Sequence, residues 1–361
     1  MLLRRAFVNY KYTCEVEVDM THLALLFGFG LILSWIAIRI AIPLAHQMGV
    51  VDRPGGHKLH EESTPFVGGF GVYLALIGSL SMLVATSGSD VALPMLHWQS
   101  LALGATVMFV TGLIDDIRHL GFKIRFLIQA GVALVMALVG EVVVSDLGHI
   151  DLGERIDLGL LAIPFTIFAT IGVINSLNMI DGIDGLSGSV SLVSLFLIAL
   201  VALAGGAYDY GLLAIALLGG VAGFLYYNMR YLSRRRARVF LGDNGSMLLG
   251  FLFAWMLTAL SQEPARLMGP VTAVWLFAIP VMDTLGVMLR RIWLGKSPFR
   301  PDRHHLHHLF IRAGFRVQNV VYAVALIHLC MGLIGVAGLW LGAPDHVMLF
   351  ALLLVLAGYV Y

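Results

Sequence analysis

Charge is scarce in this sequence. Asp, Glu, Lys and Arg make up 12% of its 361 residues, about half the share usual in soluble domains, which is roughly 25%. Cysteine is scarcer still. Cys14 and Cys330 are the two copies, one near the N-terminus and one in a late apolar run, which argues against a disulfide framework. Short segments of alternating polar and apolar residues are missing, so the pattern is not that of a membrane barrel. Residues Met1–Asp19 carry Arg4, Arg5 and Lys11 but no apolar core, so no cleavable leader is evident. No internal repeat stands out, which weakens the case for an inverted-repeat transporter.

What replaces charge is apolar length. Hydrophobic residues make up 59% of the chain, and they recur in runs of about 20, the length a helix needs to cross hydrocarbon. The expected fold class is therefore all-α, a polytopic integral membrane protein with about eleven transmembrane helices. They are placed near 21–44, 67–86, 98–114, 124–143, 158–174, 187–205, 210–228, 246–261, 270–289, 318–341 and 346–361. Residues 1–20 read as an N-terminal tail on the periplasmic side, or as a segment preceding a true start at Met20.

Alternating the connections divides the loops between two sides. One side receives 45–66, 115–123, 175–186, 229–245 and 290–317. It holds nearly all the Arg and Lys, including Arg53, Lys58, Arg118, Lys123, Arg230, Arg234, Arg235, Arg236, Arg290, Arg291, Lys296 and Arg303. The other side holds Arg4, Arg5, Lys11, Arg155 and Arg266. The positive-inside rule makes the first side cytoplasmic. Every dense polar cluster falls on that side, whereas helix capping alone would distribute such clusters to both.

The densest cluster is Asn175-Ser-Leu-Asn178-Met-Ile-Asp181-Gly-Ile-Asp184-Gly185. Asn178 and Asp181 are three apart, and a continuing helix would put them on one face. Asp184 before Gly-Leu-Ser can cap the following helix. The spacing is not that of a calcium-binding EF-hand loop. Asp115-Asp116 closes the third apolar run. Adjacent acids there resist joint ionisation, are disfavoured by the helix dipole, and suit Mg²⁺ or proton transfer. Gly242-Asp243-Asn244-Gly245-Ser246 opens the eighth run, either as an ordinary N-cap and turn or as a hard oxygen ligand beside phosphate-binding amides.

The first loop offers Lys58 and His60 for phosphate contact, or simply a basic turn. Its Gly68-Gly69 pair permits close approach by a ligand or a helix. The last large loop carries Pro301-Asp302-Arg303-His304-His305-Leu306-His307-His308. Zinc is the weaker reading there, because the spacing lacks the usual helical pair and no cysteine is near. Histidine and arginine donors for a diphosphate or a sugar fit better. Together these groups imply phosphoryl or phosphosugar transfer to a lipid acceptor at a membrane surface.

The motifs Asn175-x-x-Asn178-Met-Ile-Asp181-Gly-Ile-Asp184-Gly-Leu, Asp115-Asp116, Gly-Asp243-x-Gly-Ser and Pro-Asp302-Arg303-x-His305-Leu-His307-His308, in that relative placement, resemble the polyprenyl-phosphate N-acetylhexosamine-1-phosphate transferases. The histidine loop is most similar to the undecaprenyl-phosphate N-acetylglucosamine-1-phosphate transferase branch. Arg118-His119 after the acidic pair departs from the usual pattern. The resemblance implies a single transmembrane catalytic domain over 21–361 in a bacterial inner membrane, with UDP-GlcNAc and undecaprenyl phosphate as substrates and UMP as leaving product. Another UDP-N-acetylhexosamine or UDP-MurNAc-pentapeptide is the alternative donor. A transporter or flippase of an anionic lipid or metabolite is the alternative of another class. Implied roles are Asp243 and Asn178 for Mg²⁺ (or Mn²⁺), and Asp115, Asp116, Asp181 and Asp184 for catalysis. Asn175, Arg291, Arg303, His305, His307 and His308, with Lys58 and His60, are implied for substrate. A covalent aspartyl intermediate is the minority route. A homodimer is implied by analogy, and no nucleic-acid partner is expected.

Overall fold

The structure is a computed structural model that describes residues 19–52, 63–87, 95–150, 153–231, 236–297 and 304–360. It is built from helices. In chain order they are α1 (Met20–Met48), α2 (Gly68–Ser87), α3 (Met95–Arg118), α4 (Phe122–Leu138), α5 (Ala162–Ile180), α6 (Leu186–Ala204), α7 (Tyr208–Asn228), α8 (Gly242–Ser261), α9 (Pro270–Leu276), α10 (Ala278–Trp293), α11 (Leu306–Arg312), α12 (Val317–Leu341) and α13 (Asp345–Val360). Each expected apolar run carries a helix. Among the described residues seven are long and apolar enough to cross a membrane, and α9 with α10 makes an eighth if the bent pair counts as one span. Among the described residues the helices at α2, α4 and α13 do not meet that test by themselves, and the chain is a polytopic all-α membrane protein.

Helix α8 is apolar on every side beyond its first turn, and such a helix belongs in the centre of a bundle. It is buried almost end to end, with α3, α5, α2 and α9 packed around it. Helix α1 packs outside, against α7 and α2. Gly219 lets α1 and α7 touch, since a Cβ there would lie 2.0 Å from the Phe27 carbonyl oxygen. This is the close small-residue packing expected where lipid supplies no hydrophobic drive.

The α9–α10 pair bends by 92° at Phe277. Pro280 explains the break. It has no N–H for the carbonyl four residues back, and its ring crowds that carbonyl. The orphaned group is Leu276 O, and Ser194 Oγ of α6 donates to it at 3.0 Å. His328 of α12 lies 2.8 Å from the same hydroxyl and accepts the Ile279 N–H on Nδ1 at 3.4 Å. One proton arrangement satisfies all three contacts: Ile279 to Nδ1, Nε2–H to Ser194, and Ser194 to Leu276. Freed backbone groups at membrane depth need such partners.

At one end of the bundle a two-stranded ribbon, β1 (Val51–Asp52) and β2 (Thr64–Pro65), pairs antiparallel with Val51 opposite Pro65. It docks on the segment before α8. Phe240 N–H bonds Pro65 O at 2.9 Å, while Gly68 and Gly69 N–H bond Phe240 O and Leu241 O at 3.0 Å each. The glycine pair thus serves approach by a helix: a Cβ on Gly69 would overlap Asn244 Oδ1 and Gly245. Gly112 of α3 meets the Asp243 carbonyl in the same way. These contacts press α2 and α3 onto the start of α8.

Candidate active site

The C-terminal ends of α3, α5 and α7, the start of α8, and α11 surround one cavity of about 730 Å³. Its acidic lining comes from Asp52, Asp116, Asp181, Asp184 and Asp243. Its arginines are Arg230 and Arg312, and His119, His308, Asn178 and Asn228 also face it. The polar clusters that alternation assigned to one side of the membrane therefore do share one end of the bundle.

Asp116 caps α8 from another helix. Its carboxylate accepts the N–H of Asp243 at 2.8 Å, the N–H of Asn244 at 3.1 Å and Asn244 Nδ2 at 2.5 Å. A helix start presents such unpartnered donors and favours negative charge. With Asp116 in that role, Asp243 is not needed as a cap. Its Oδ1 instead accepts Asn178 Nδ2 at 2.5 Å, and the same amide reaches Ser246 Oγ at 2.9 Å. Asp115, beside them, accepts Arg125 Nη1 and the Leu120 N–H at 2.7 and 2.6 Å.

Helix α5 ends at Ile180, so Asn178 and Asp181 do not share a continuing helical face. Asp181 is the C-cap position, and Ser187 Oγ donates to its carboxylate. Burial pushes the Asp181 carboxyl up to about 7 against that bond, with the negative charges of Asp243 and Asp184 adding to the rise. Asp184 does not cap α6. It pairs with Arg230 Nε at 2.7 Å and accepts the Ala237 N–H at 3.1 Å. Asn228 holds the loop from the other side, accepting Gly185 N–H at 2.7 Å.

The short helix α11 closes the cavity. His308 lines it. His307 is buried with its Nε2 packed against Gly182, where a Cβ would lie 2.6 Å away. Burial, with the neighbouring His308, lowers His307 to about 4, so the ring is neutral. His305 is buried too, and its Nδ1 lies 2.7 Å from Asp283 Oδ2 on α10.

Among the described site candidates, Asp115, Asn175, Arg291, His305 and His307 do not line the cavity. Asn175 donates to Gln129 Oε1 at 2.7 Å and to Ile171 O at 2.8 Å, tying α5 to α4 outside the cavity lining. Arg291 is buried on α10 and does not line the cavity either. Lys58, His60 and Arg303 lie outside the described residues. Sequence reasoning did not single out Asn228, Arg230 or Asp283 for the site. Asp283 carried a usable signal: it is the lone charged residue in an apolar run, which marks a functional candidate in a membrane chain.

The donor set suits a hard divalent cation. Asp243 and Asn178 present oxygen-bearing side chains to a cavity whose described lining holds more carboxylates than arginines. Among the described residues no three His, Cys, Asp or Glu side chains form a preformed metal cluster.

Comparison with known proteins identifies relatives of this chain. The model of a family described as Glycosyl transferase family 4 matches residues 98–261, from α3 through α8. The undecaprenyl-phosphate alpha-N-acetylglucosaminyl 1-phosphate transferase of Yersinia pestis is 34% identical over 342 residues, covering 94% of this chain and 90% of that protein. The protein of the same name from Escherichia coli K12 is 34% identical over 319 residues, covering 88% and 84%. That of Haemophilus influenzae is 34% identical over 309 residues, covering 86% and 84%. With shared sequence over nearly its whole length and the motifs gathered at one cavity, this chain belongs to glycosyl transferase family 4, among the polyprenyl-phosphate N-acetylhexosamine-1-phosphate transferases.

Proposed function

We propose that this chain transfers N-acetylglucosamine-1-phosphate from UDP-GlcNAc to undecaprenyl phosphate, forming undecaprenyl-diphospho-GlcNAc and releasing UMP. The observation that carries the reading is the 730 Å³ cavity, where Asp116, Asn178, Asp181, Asp243 and the histidine helix meet at one end of an apolar bundle. Relatives named undecaprenyl-phosphate alpha-N-acetylglucosaminyl 1-phosphate transferase are 34% identical to it over 342 and 319 aligned residues. A transporter would hold its ionisable groups near mid-membrane on broken helices, whereas these carboxylates gather at helix ends.

In this reaction an oxygen of the lipid phosphate attacks the β-phosphorus of the donor. The bond from that phosphorus to the bridging oxygen breaks, and the oxygen leaves with UMP. A phosphate monoester has a second pKa of about 6, so the nucleophile needs no strong base. The task of the chain is alignment and charge. Asp115 and Asp116 shape the lipid-phosphate side. Asp181 and Asp184, the latter held by Arg230, orient the central loop. His305, His307, His308, Arg303 and Arg312 serve the sugar nucleotide. Among its described lining residues the cavity carries five carboxylates and two arginines, and the donor is anionic, so a cation between them would balance charge. Mg²⁺, with Mn²⁺ as a substitute, would be held by Asp243 and Asn178 and supplies neutralisation of diphosphate charge when bound. The cavity faces the cytoplasm of a bacterial inner membrane, all eleven apolar runs lie in the bilayer, and two copies associate as in the family.

Purified protein with UDP-GlcNAc, undecaprenyl phosphate and Mg²⁺ tests the reading. UMP release is expected, lost with EDTA and restored by Mg²⁺. UDP release would instead indicate direct sugar transfer, and no turnover overturns the assignment. Undiminished turnover in EDTA removes the metal from it.

A further inference from the structure

Asp283 lies on α10, just past the bend, and nothing in the cavity lining includes it. Its carboxylate is 2% exposed, and its two oxygens divide their work. Oδ1 accepts the backbone N–H of Leu306 at 2.7 Å and the hydroxyl of Tyr359 at 2.5 Å. Oδ2 faces His305 Nδ1 at 2.7 Å. Three elements thus converge on one side chain: the bent span α10, the first residue of α11, and the last helix α13. Gly286, one turn along α10, makes the third contact feasible. A Cβ there would overlap the Tyr359 ring, at 2.3 Å from Cε1.

We propose that Asp283 is a positioning residue for the transfer reaction, fixing the tautomer and direction of His305 and anchoring the start of the histidine helix against the cavity. The inference rests on the transferase reading above. A buried carboxylate opposite Nδ1 requires that nitrogen to carry a proton, which makes Nε2 the acceptor of the neutral ring. The carboxylate also takes the first amide of α11, so the helix cannot turn about its own start without losing two bonds at once. Orientation passes onward through the histidines. The His305 and His307 rings are stacked, with centroids 5.8 Å apart and planes 11° from parallel. His307 packs on Gly182 in the loop between Asp181 and Asp184, and His308 faces the cavity. Asp283 therefore connects the membrane bend to the nucleotide-sugar side of the site without touching substrate.

Asp283→Asn separates this role from general support. Its Oδ1 keeps the Leu306 and Tyr359 bonds. Its NH₂, in place of Oδ2, must donate to His305 Nδ1 and so moves the ring proton to Nε2. The same inversion is costly where a carboxylate holds a catalytic histidine. The expected result is a loss of at least about tenfold in kcat/KM for UDP-GlcNAc, with a thermal midpoint close to wild type. The double variant Asp283→Asn, His305→Ala should be no slower than His305→Ala alone, because Asp283 acts through His305. Wild-type kinetics in Asp283→Asn, or losses that multiply in the double variant, overturn the proposal. A second measurement needs no Asp283 variant. In ¹⁵N-histidine spectra of the wild-type protein in nanodiscs, with the His305 signal identified by its loss in His305→Gln, a proton on Nδ1 supports the proposal. A neutral ring with its proton on Nε2 overturns it. Absence of UMP release from the wild-type protein would instead sink the transferase reading, and the spectrum distinguishes the two failures.

Discussion

Asp116 on α3 accepts the backbone N–H of Asp243 on α8 at 2.8 Å, so one acid of the site holds the helix start from which the other projects. Their substitutions should therefore fail differently. Asp116→Ala removes the acceptor for three donors at the start of α8. Losing a cap of this kind costs about 1–2 kcal/mol, so the thermal midpoint and the activity should both fall. Asp243→Asn keeps an oxygen for Asn178 and leaves the fold alone, but removes charge from the cavity. Turnover should drop by about 100-fold or more, the scale of losing one transition-state electrostatic contact, with little change in midpoint. UMP release and thermal unfolding on the same preparations check both. A destabilised Asp243→Asn with residual wild-type turnover would reverse the roles.

Gly182 should be intolerant of a methyl group for a specific reason. A Cβ would lie 2.6 Å from His307 Nε2, and that ring is fixed between His305 and His308, with the latter centroid 4.2 Å away. Gly182→Ala must push the histidine helix outward. About a tenfold fall in kcat/KM for UDP-GlcNAc is expected, with a stability cost of about 1–3 kcal/mol for overpacking. Gly121 is the control. Nothing lies within 4 Å of a Cβ there and its φ is −64°, so Gly121→Ala should stay within about twofold of wild type. Equal effects at the two positions would remove steric contact with His307 as the cause.

Helices were legible in the sequence because apolar length alone specifies them in a membrane chain. The common end of the site was legible too, because alternation counts sides without needing contacts. Side-chain roles were not, since each depended on a partner far along the chain. Asp184 read as a local cap, but Arg230 outcompeted the neighbouring amides for it. Asp243 read as its own helix cap until Asp116 took that role from 127 residues away. Asn175 shares a helix and a motif with Asn178, yet faces Gln129 across a different interface. Asp283 was visible as a lone acid in an apolar run, but nothing local to it pointed toward His305.

His307 and Asp181 should give opposite slopes of stability with pH. His307 is depressed from 6.5 to about 4 in the folded protein. Between those values the unfolded chain binds the proton, so the contribution of His307 makes stability rise with pH up to about 6.5 and level off above. Asp181 is raised from 3.8 to about 7. There the folded state binds the proton, and stability falls as pH rises through that window. Relative to metal-free wild type, His307→Gln should therefore make the pH slope of stability more negative, and Asp181→Asn should make it more positive. Unfolding midpoints from pH 4.5 to 7.5 for the three proteins check this, and parallel curves would contradict it.

The bend between α9 and α10 should depend on Ser194 only because Pro280 leaves the Leu276 carbonyl without a helical donor. In the wild-type protein Ser194→Ala strips that buried carbonyl of its 3.0 Å partner and removes one link to His328. An unsatisfied buried polar group costs about 1–3 kcal/mol, and the damage should reach activity, since α10 carries Asp283 and through it the histidine helix. Pro280→Ala restores an N–H four residues after Leu276 and relieves the ring clash, so the carbonyl regains a helical partner. Ser194→Ala should then cost measurably less in the Pro280→Ala background than in wild type. The Pro280→Ala chain alone should lose activity through straightening, because α10 would carry Asp283 away from His305 and release the start of the histidine helix. Thermal midpoints and UMP release across the four proteins of this cycle measure the coupling. Strict additivity would mean that Ser194 supports the bundle generally and that Pro280 bends the span without its help.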